Sequence, residues 1–167
     1  MMFRQVALPD GVPAMLYLHS MPGRYEDWPT FVAEAERSRL DLVVCLASAS
    51  EIQSKSPPYA QARLANTFPC EFRDFPIPDF GTPPLEDRLA FREFVTELAT
   101  DLTNGTTVLI HCGAGIGRTG TVATCLLLQL GAEREEAARR ISVAGSRPEV
   151  PDQKELILWY STSSHPS

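Results

Sequence analysis

Long apolar runs, basic tracts and paired cysteines are all missing from this sequence. No apolar stretch approaches the roughly 18 residues that cross a bilayer, and no apolar segment of the kind a secretory leader carries follows Arg4. Neither a membrane span nor a signal peptide is therefore expected. Lys and Arg number 15 against 21 Asp and Glu, a formal net charge of -6, and nowhere do they gather into a run. Nucleic-acid backbones and anionic membranes both need a positive footprint, so neither is an expected partner. The four cysteines, at positions 45, 70, 112 and 125, are too few and too scattered for a disulfide scaffold. They include no Cys-x-x-Cys pair of the kind that opens a zinc site, so no metal is expected, and a reducing cytoplasm is the expected compartment.

What is present is ordinary for a globular chain: 44% apolar and 22% charged residues in 167, with no internal repeat. That length fits one core, so a single domain over 1–167 and a monomer are expected, frayed only at its last few residues. Residues 3–8 and 14–19 are short apolar runs around the turn tripeptide Pro9-Asp10-Gly11, which predicts a hairpin. Asp27 as a cap, Pro29, and Phe31, Val32 and Ala35 at helical spacing predict a helix. Residues 40–47 are almost wholly apolar, as a strand buried on both faces should be. Residues 48–69 are polar, with a short helix expected around Tyr59–Ala65, and residues 70–77 alternate as a strand does. Residues 76–84 (PIPDFGTPP) form a stiffened loop. Further helices are expected over 91–102, 121–130, 133–144 and 152–160, with a strand over 107–111. Trp28 and Trp159 read as packing residues, Trp159 on the inner face of the last helix, and Cys70 and Cys125 as core. The order predicts an α/β fold, a mostly parallel central sheet of about five strands flanked by helices. Ligands of such sheets bind at the carboxyl ends of the strands, where residues 111–120 would lie.

Those ten residues read HCGAGIGRTG. If Gly113, Ala114, Gly115, Ile116 and Gly117 arch around a centre, their N–H groups converge there, joined by the N-terminus of the following helix. A tetrahedral anion fits such a nest, and Arg118 closes it with a planar fork matched to two phosphate oxygens. Cys112 points at the same centre. The inward N–H groups, the helix and Arg118 all favour its thiolate, which is the nucleophilic form. Attack on phosphorus would leave a cysteinyl-phosphate, and the departing oxygen would need a proton. Asp79 of the proline-rich loop is the candidate donor and, once ionised, the base that activates water for hydrolysis. Asp74 and Asp87 are its alternates. Thr119 is a candidate hydrogen-bond partner of the sulfur, Gln153 a candidate for holding the water, and His111 a candidate support of the cysteine backbone. Arg147 is a candidate for the substrate rim.

The ten residues match at every defined position the His-Cys-x5-Arg-Ser/Thr-Gly signature, so the chain resembles the protein tyrosine phosphatase superfamily. SMPG at 20–23, VVCLASASE at 43–51, PIPDFGTP at 76–83 and RPEVPDQ at 147–153 resemble, in order, segments of its compact dual-specificity branch. The resemblance implies the cysteine-based phosphatase fold, no cofactor, and an acid about thirty residues before the cysteine, where Asp79 stands. It also implies that a cysteine at position 45 can pair reversibly with the nucleophile, although a buried structural thiol is the competing reading of Cys45. The usual signature of the loop that grips a tyrosine ring in longer members is missing, although Arg24 and Tyr25 lie near that region. The expected substrate is phosphotyrosine on a protein or peptide, with phosphoserine and phosphothreonine as further candidates. A phosphoinositide or other small phosphomonoester is the alternative, and the uncharged residues 113–117 weigh against it, since lipid-directed members carry lysines there.

Two rival readings fail on the residues. Gly115, Gly117 and Gly120 also satisfy the G-x-G-x-x-G dinucleotide fingerprint, but the 47 residues after Gly120 are too few for the rest of such a sheet. A phosphate-binding module without turnover would not need Cys112, Arg118 and Asp79 together.

Overall fold

A computed structural model describes residues 2–163, so the tail expected to fray lies mostly outside the described residues. Five strands form one sheet in the order β1-β2-β5-β3-β4. β1 (Arg4–Val6) runs antiparallel to β2 (Leu16–His19), while β3 (Leu42–Cys45), β4 (Glu71–Asp74) and β5 (Val108–His111) join β2 in parallel. The expected hairpin is present but wide: Val6 pairs with Leu16, and Val12 N–H closes on the Pro9 carbonyl at 3.4 Å. β3 and β5 are buried on both faces, as their apolar runs predict. β4 is shorter than expected and lies exposed at the edge; beyond it, on either side of Pro76, the Phe75 and Ile77 N–H groups still donate to the Cys45 and Leu46 carbonyls, each at 2.9 Å.

Side-chain alternation along the strands divides the core. Leu16, Leu18, Leu42, Val44, Val108 and Ile110 face a layer of four helices. These are α4 (Arg88–Thr103), α5 (Gly117–Gln129), α6 (Arg134–Val143) and α7 (Pro151–Ser163). Tyr17, Val43 and Leu109 face α1 (Trp28–Arg37) through Phe31 and Ala35 on the other side. α5 is buried all round from Gly117 to Leu127, as the middle helix of a layer must be, and it packs on α4, α6 and α7. It starts at Gly117, four residues before the expected helix, so its first turn belongs to the HCGAGIGRTG segment.

Two further results differ from expectation. The segment after β3 holds two helices, α2 (Ala49–Lys55) and α3 (Pro57–Leu64), where one was expected. α2 is too short for periodicity to show, but Ser48 accepts from Glu51 N–H at 3.2 Å, so Ser48-x-x-Glu51 was a readable capping signal. Trp159 is only partly buried. Leu156, Ile157 and Tyr160 form the inner face of α7, while the guanidinium groups of Arg88 and Arg92 lie 5.0 and 4.5 Å from the Trp159 ring. Trp28 packs at the margin of the α1 cluster, Cys125 is fully buried, and Cys70 is partly buried beside β4.

Candidate active site

β5 delivers His111 and Cys112 to the carboxyl edge of the sheet, and the chain then arches through residues 113–116 into α5. Four carbonyls of this segment have captors. Cys112 O is taken by His111 Nδ1 at 2.9 Å, and Gly113 O by Met21 N–H at 3.1 Å. Gly115 O is taken twice, by Arg4 Nη2 at 2.7 Å and Ser146 Oγ at 2.6 Å. Ile116 O accepts from Gly120 N–H at 2.8 Å and Arg147 N–H at 3.2 Å. Of the N–H groups of the arch, that of Gly115 points to Cys112 Sγ at 3.3 Å. Among the described residues those of Gly113, Ala114, Ile116, Gly117 and Arg118 have no intramolecular acceptor. Gly113, Gly117 and Arg118 are buried, and buried N–H groups left this way are costly unless an anion meets them.

The glycines at 115 and 120 are required by contact. Gly115 has φ 77° and a Cβ there would stand 2.3 Å from His19 O, while a Cβ on Gly120 would stand 2.4 Å from Arg147 N. The dinucleotide-like spacing thus arises from close packing of this arch against its supports.

The support beneath the cysteine is a chain of polar groups. A carbonyl can only accept, so His111 Nδ1 carries the proton toward Cys112 O, and Nε2 accepts from the Tyr59 hydroxyl at 2.8 Å. Burial drives the His111 pKa down to about 3, keeping the ring neutral, and raises Tyr59 well above the phenol range.

Arg118 is anchored as firmly. Its Nη2 lies 2.7 Å from Glu51 Oε1 and 3.1 Å from Asp79 Oδ1, and its Nη1 donates to the Ile77 carbonyl at 3.1 Å. Burial opposes the Arg118 charge, but the Glu51 hydrogen bonds and the negative groups at Cys112, Glu51 and Asp79 outweigh it and raise the pKa. Likewise burial pushes Glu51 up, and Arg118 and Lys55 more than reverse it. Glu51 also pairs with Lys55 at 3.5 Å.

Above Cys112 lies a cleft of ≈ 210 Å³ lined by Arg24, Lys55, Asp79, Phe80, Cys112, Ala114, Gly117, Arg118 and Glu149. Lys55 Nζ, Arg118 Nη2 and Arg24 Nη1 converge on Gly113, at 2.9, 3.3 and 3.4 Å from where a Cβ would stand. Cations that are absent from residues 113–117 therefore arrive from elsewhere in the chain.

Of the candidate residues, the fold brings Cys112, Arg118, Asp79 and residues 113–117 together. Thr119 is buried beneath them, and its hydroxyl has no hydrogen-bond partner among the described residues. Gln153 is fully buried with its amide engaged elsewhere: Oε1 accepts from Glu149 N–H at 2.7 Å, and Nε2 donates to Gly81 O at 3.3 Å. Cys45 lies in a small cluster with Met21, Ile52 and Tyr59 that does not include Cys112; its thiol faces Ala47 O at 3.5 Å and burial raises its pKa. Asp74 pairs with Arg63 at 2.5 Å on the exposed edge, and Asp87 stands at the N-cap position of α4, without a side-chain capping bond and outside the cleft. Arg147 supports Ile116 through its backbone. Sequence reading did not single out Arg4, Glu51, Lys55, Tyr59, Ser146 or Glu149; only Glu51 carried a local signal, its capping position.

Comparison with known proteins gives concordant matches. A family model described as "PTP-SAK: Swiss Army Knife protein, DSP-PTPase phosphatase domain" matches residues 12–161. Cyclin-dependent kinase inhibitor 3 of Rattus norvegicus is 51% identical over 55 residues, which are 33% of this chain and 24% of that protein. The match thus spans about a quarter of that relative's length. A kinase-associated phosphatase, solved with serine in place of its catalytic-site cysteine, superposes with TM-score 0.80 at 22% identity, covering 98% of this chain and 97% of its own. Tk-PTP in its active form gives TM-score 0.69 at 27% identity, covering 89% and 92%.

Proposed function

The chain belongs to the PTP-SAK family of DSP-PTPase phosphatase domains, and from that premise we propose that it is a single-domain phosphoric monoester hydrolase acting through a cysteinyl-phosphate on phosphorylated protein or peptide. Phosphotyrosine is the primary substrate, with phosphoserine and phosphothreonine also accepted. The observation that carries the reading is the arch around Cys112, in which the carbonyls of Cys112, Gly113, Gly115 and Ile116 are captured, Gly115 N–H points to the sulfur and five further N–H groups have no acceptor among the described residues.

The substrate phosphoryl group sits among these N–H groups, with Arg118 oriented by Glu51 and with Lys55 and Arg24 at its side. In the first step the Cys112 thiolate attacks phosphorus, the S–P bond forms, the P–O bond to the leaving group breaks, and Asp79 gives that oxygen a proton. In the second step water attacks phosphorus, the S–P bond breaks to return the thiolate, and the water proton passes to Asp79. Thr119 lies at the first turn of α5 with an unpaired hydroxyl suited to bond the sulfur as it leaves. No metal or cofactor enters these steps. Among the described residues no helix is long and apolar enough to cross a membrane; a cytoplasmic monomer is the setting proposed.

The test is turnover of an aryl phosphate by the wild type beside Cys112→Ser. Loss of turnover with retained phosphate binding is the expected result, and equal turnover by the variant refutes the assignment. A phosphoinositide or other small phosphomonoester is a second reading, favoured by the convergence of Arg24 and Lys55 on the cleft. A panel of phosphopeptides and phosphoinositides separates the two.

A further inference from the structure

Arg4 stands in β1, the edge strand, and its half-buried side chain reaches both the arch and the end of α6. Nη2 donates to the Gly115 carbonyl at 2.7 Å, while Nη1 donates to the Ala144 carbonyl at 2.8 Å and to Ser146 Oγ at 2.9 Å. The Ser146 hydroxyl donates in turn to Gly115 O at 2.6 Å, which closes the network. Two glycines leave room for the guanidinium: a Cβ on Gly115 would stand 2.8 Å from Nη2, and one on Gly145 would stand 2.9 Å from Nη1. Every acceptor in this network is uncharged, and among the described residues no carboxylate pairs with Arg4. Burial presses against such a charge and lowers its pKa, and Cys112 is the group that partly offsets burial. That attraction is mutual. A cation without a counter-ion therefore stands behind the floor of the cleft.

Backbone geometry shows what this cation holds. Gly115 has φ 77°, and Ile116 lies in the right-handed region at φ −118° and ψ −71°. A left-handed and a right-handed residue in succession turn neighbouring N–H groups to one side, and the first of them, Gly115 N–H, points to Cys112 Sγ. The peptide joining Gly115 to Ile116 is trans, so its N–H points away from the carbonyl that Arg4 and Ser146 hold. We propose that Arg4 is a positioning residue of the phosphate site, fixing the Gly115–Ile116 peptide with its N–H toward the bound phosphate and supplying, through that peptide, a positive charge that no carboxylate neutralises. A charged donor on the carbonyl polarises the peptide and strengthens the hydrogen bond that its N–H gives. Arg118 meets the phosphate oxygens directly, whereas Arg4 acts from one peptide behind them.

The inference rests on the proposed phosphatase reading, and inorganic phosphate tests it without turnover. Calorimetric titration of the full chain with phosphate reads the cradle alone. In Arg4→Met, which removes the charge and the donors but keeps much of the side-chain length, affinity falls about tenfold, as expected for hydrogen bonds from a charged group. Arg4→Lys keeps the charge and a donor, and loses less than about threefold. A mere tie between β1 and α6 would cost stability in urea unfolding and leave phosphate affinity where it is. Where Arg4→Met does not fold, Arg4→Gln replaces it: Gln keeps a donor without the charge, and it binds phosphate several-fold more weakly than Lys does. Unchanged affinity in a folded Arg4→Met, equal affinity in the Lys and Gln variants, or a wild type that binds no phosphate overturns the proposal. A wild type that binds phosphate but turns over no aryl phosphate refutes the phosphatase reading instead and leaves the role of Arg4 in the cradle standing.

Discussion

A neutral histidine under the nucleophile makes stability depend on pH in a calculable way. His111 is fully buried, between the Tyr59 hydroxyl and the Cys112 carbonyl, and its pKa in the fold is about 3, against roughly 6.5 in an unfolded chain. Between those two values the unfolded state binds a proton that the folded state refuses. The contribution of His111 is therefore fully present above about pH 6.5, and it is lost as pH falls, at about 1.4 kcal/mol per pH unit, until the folded group also titrates. From pH 7 to pH 5 the loss amounts to about 2 kcal/mol, a large part of the 5–15 kcal/mol typical of a domain.

Urea unfolding at the two pH values, on the wild type and on His111→Asn, isolates this effect. The Asn amide can donate to Cys112 O much as Nδ1 does, but it does not titrate. Burial pushes Glu26 and Glu51 up, yet the His19 hydrogen bond on Glu26 and the Arg118 pairing of Glu51 leave both carboxyls lowered. Their losses on acidification fall at lower pH and are shared by both proteins, so they cancel in the comparison. The wild type should lose about 2 kcal/mol more than the variant between pH 7 and pH 5. Equal losses in the two proteins, or an imidazole that titrates near 6.5 by NMR in the folded enzyme, would show that the polar chain beneath Cys112 is not built on neutral histidine.

Two further outcomes follow from the cleft. Asp79→Asn should reduce turnover of phosphothreonine peptides far more than that of p-nitrophenyl phosphate, because an alkoxide leaving group needs the proton and an activated aryl one barely does; equal loss on both would remove Asp79 from the acid role. Glu51→Gln takes the charge partner from a buried Arg118, so stability should fall by about 2 kcal/mol in urea unfolding. Inhibition by inorganic phosphate should weaken as the fork loses its orientation, and an unchanged inhibition constant would mean that Ile77 O and Asp79 suffice to hold Arg118.

What could be read from the sequence were the parts whose chemistry is contiguous. HCGAGIGRTG packs nucleophile, cradle and cation into ten residues, so motif and geometry coincide there. β3 and β5 were legible because burial on both faces leaves an unbroken apolar run. Asp79 was legible because proline and glycine mark its loop as shaped. Gln153 was readable as important but not in its use. A polar residue in a first helical turn is usually solvated, and only the packing of α7 on α5 turns it inward to meet two backbones. β4 was overextended because alternation continues into Phe75 and Ile77, which pack on the core and keep single backbone bonds to Cys45 and Leu46 after the regular register stops at Asp74.

Charge shows most clearly why the remainder was hidden. A count of -6 with no basic run argues against extended polyanions, and an uncharged 113–117 argues against a cationic cradle. Both inferences read charge along the chain, whereas a phosphate responds to charge in space. Arg4 comes from β1, Arg24 from the segment before α1, Lys55 from the end of α2, and Arg118 from α5. Arg4, Arg24 and Lys55 each look like a solvated surface residue in their own windows, whereas Arg118 is marked by its motif. The sheet order places β1, β2, β5 and β3 side by side, so the carboxyl ends of β2, β5 and β3, the amino end of antiparallel β1 and the supports behind them meet around residues 113–115. At a few ångströms such groups interact strongly even in a polar medium, with one another and with Glu51 and Asp79, which pair with Arg118. The local field at Cys112 is thus set by topology, and the sign of the whole chain does not predict it.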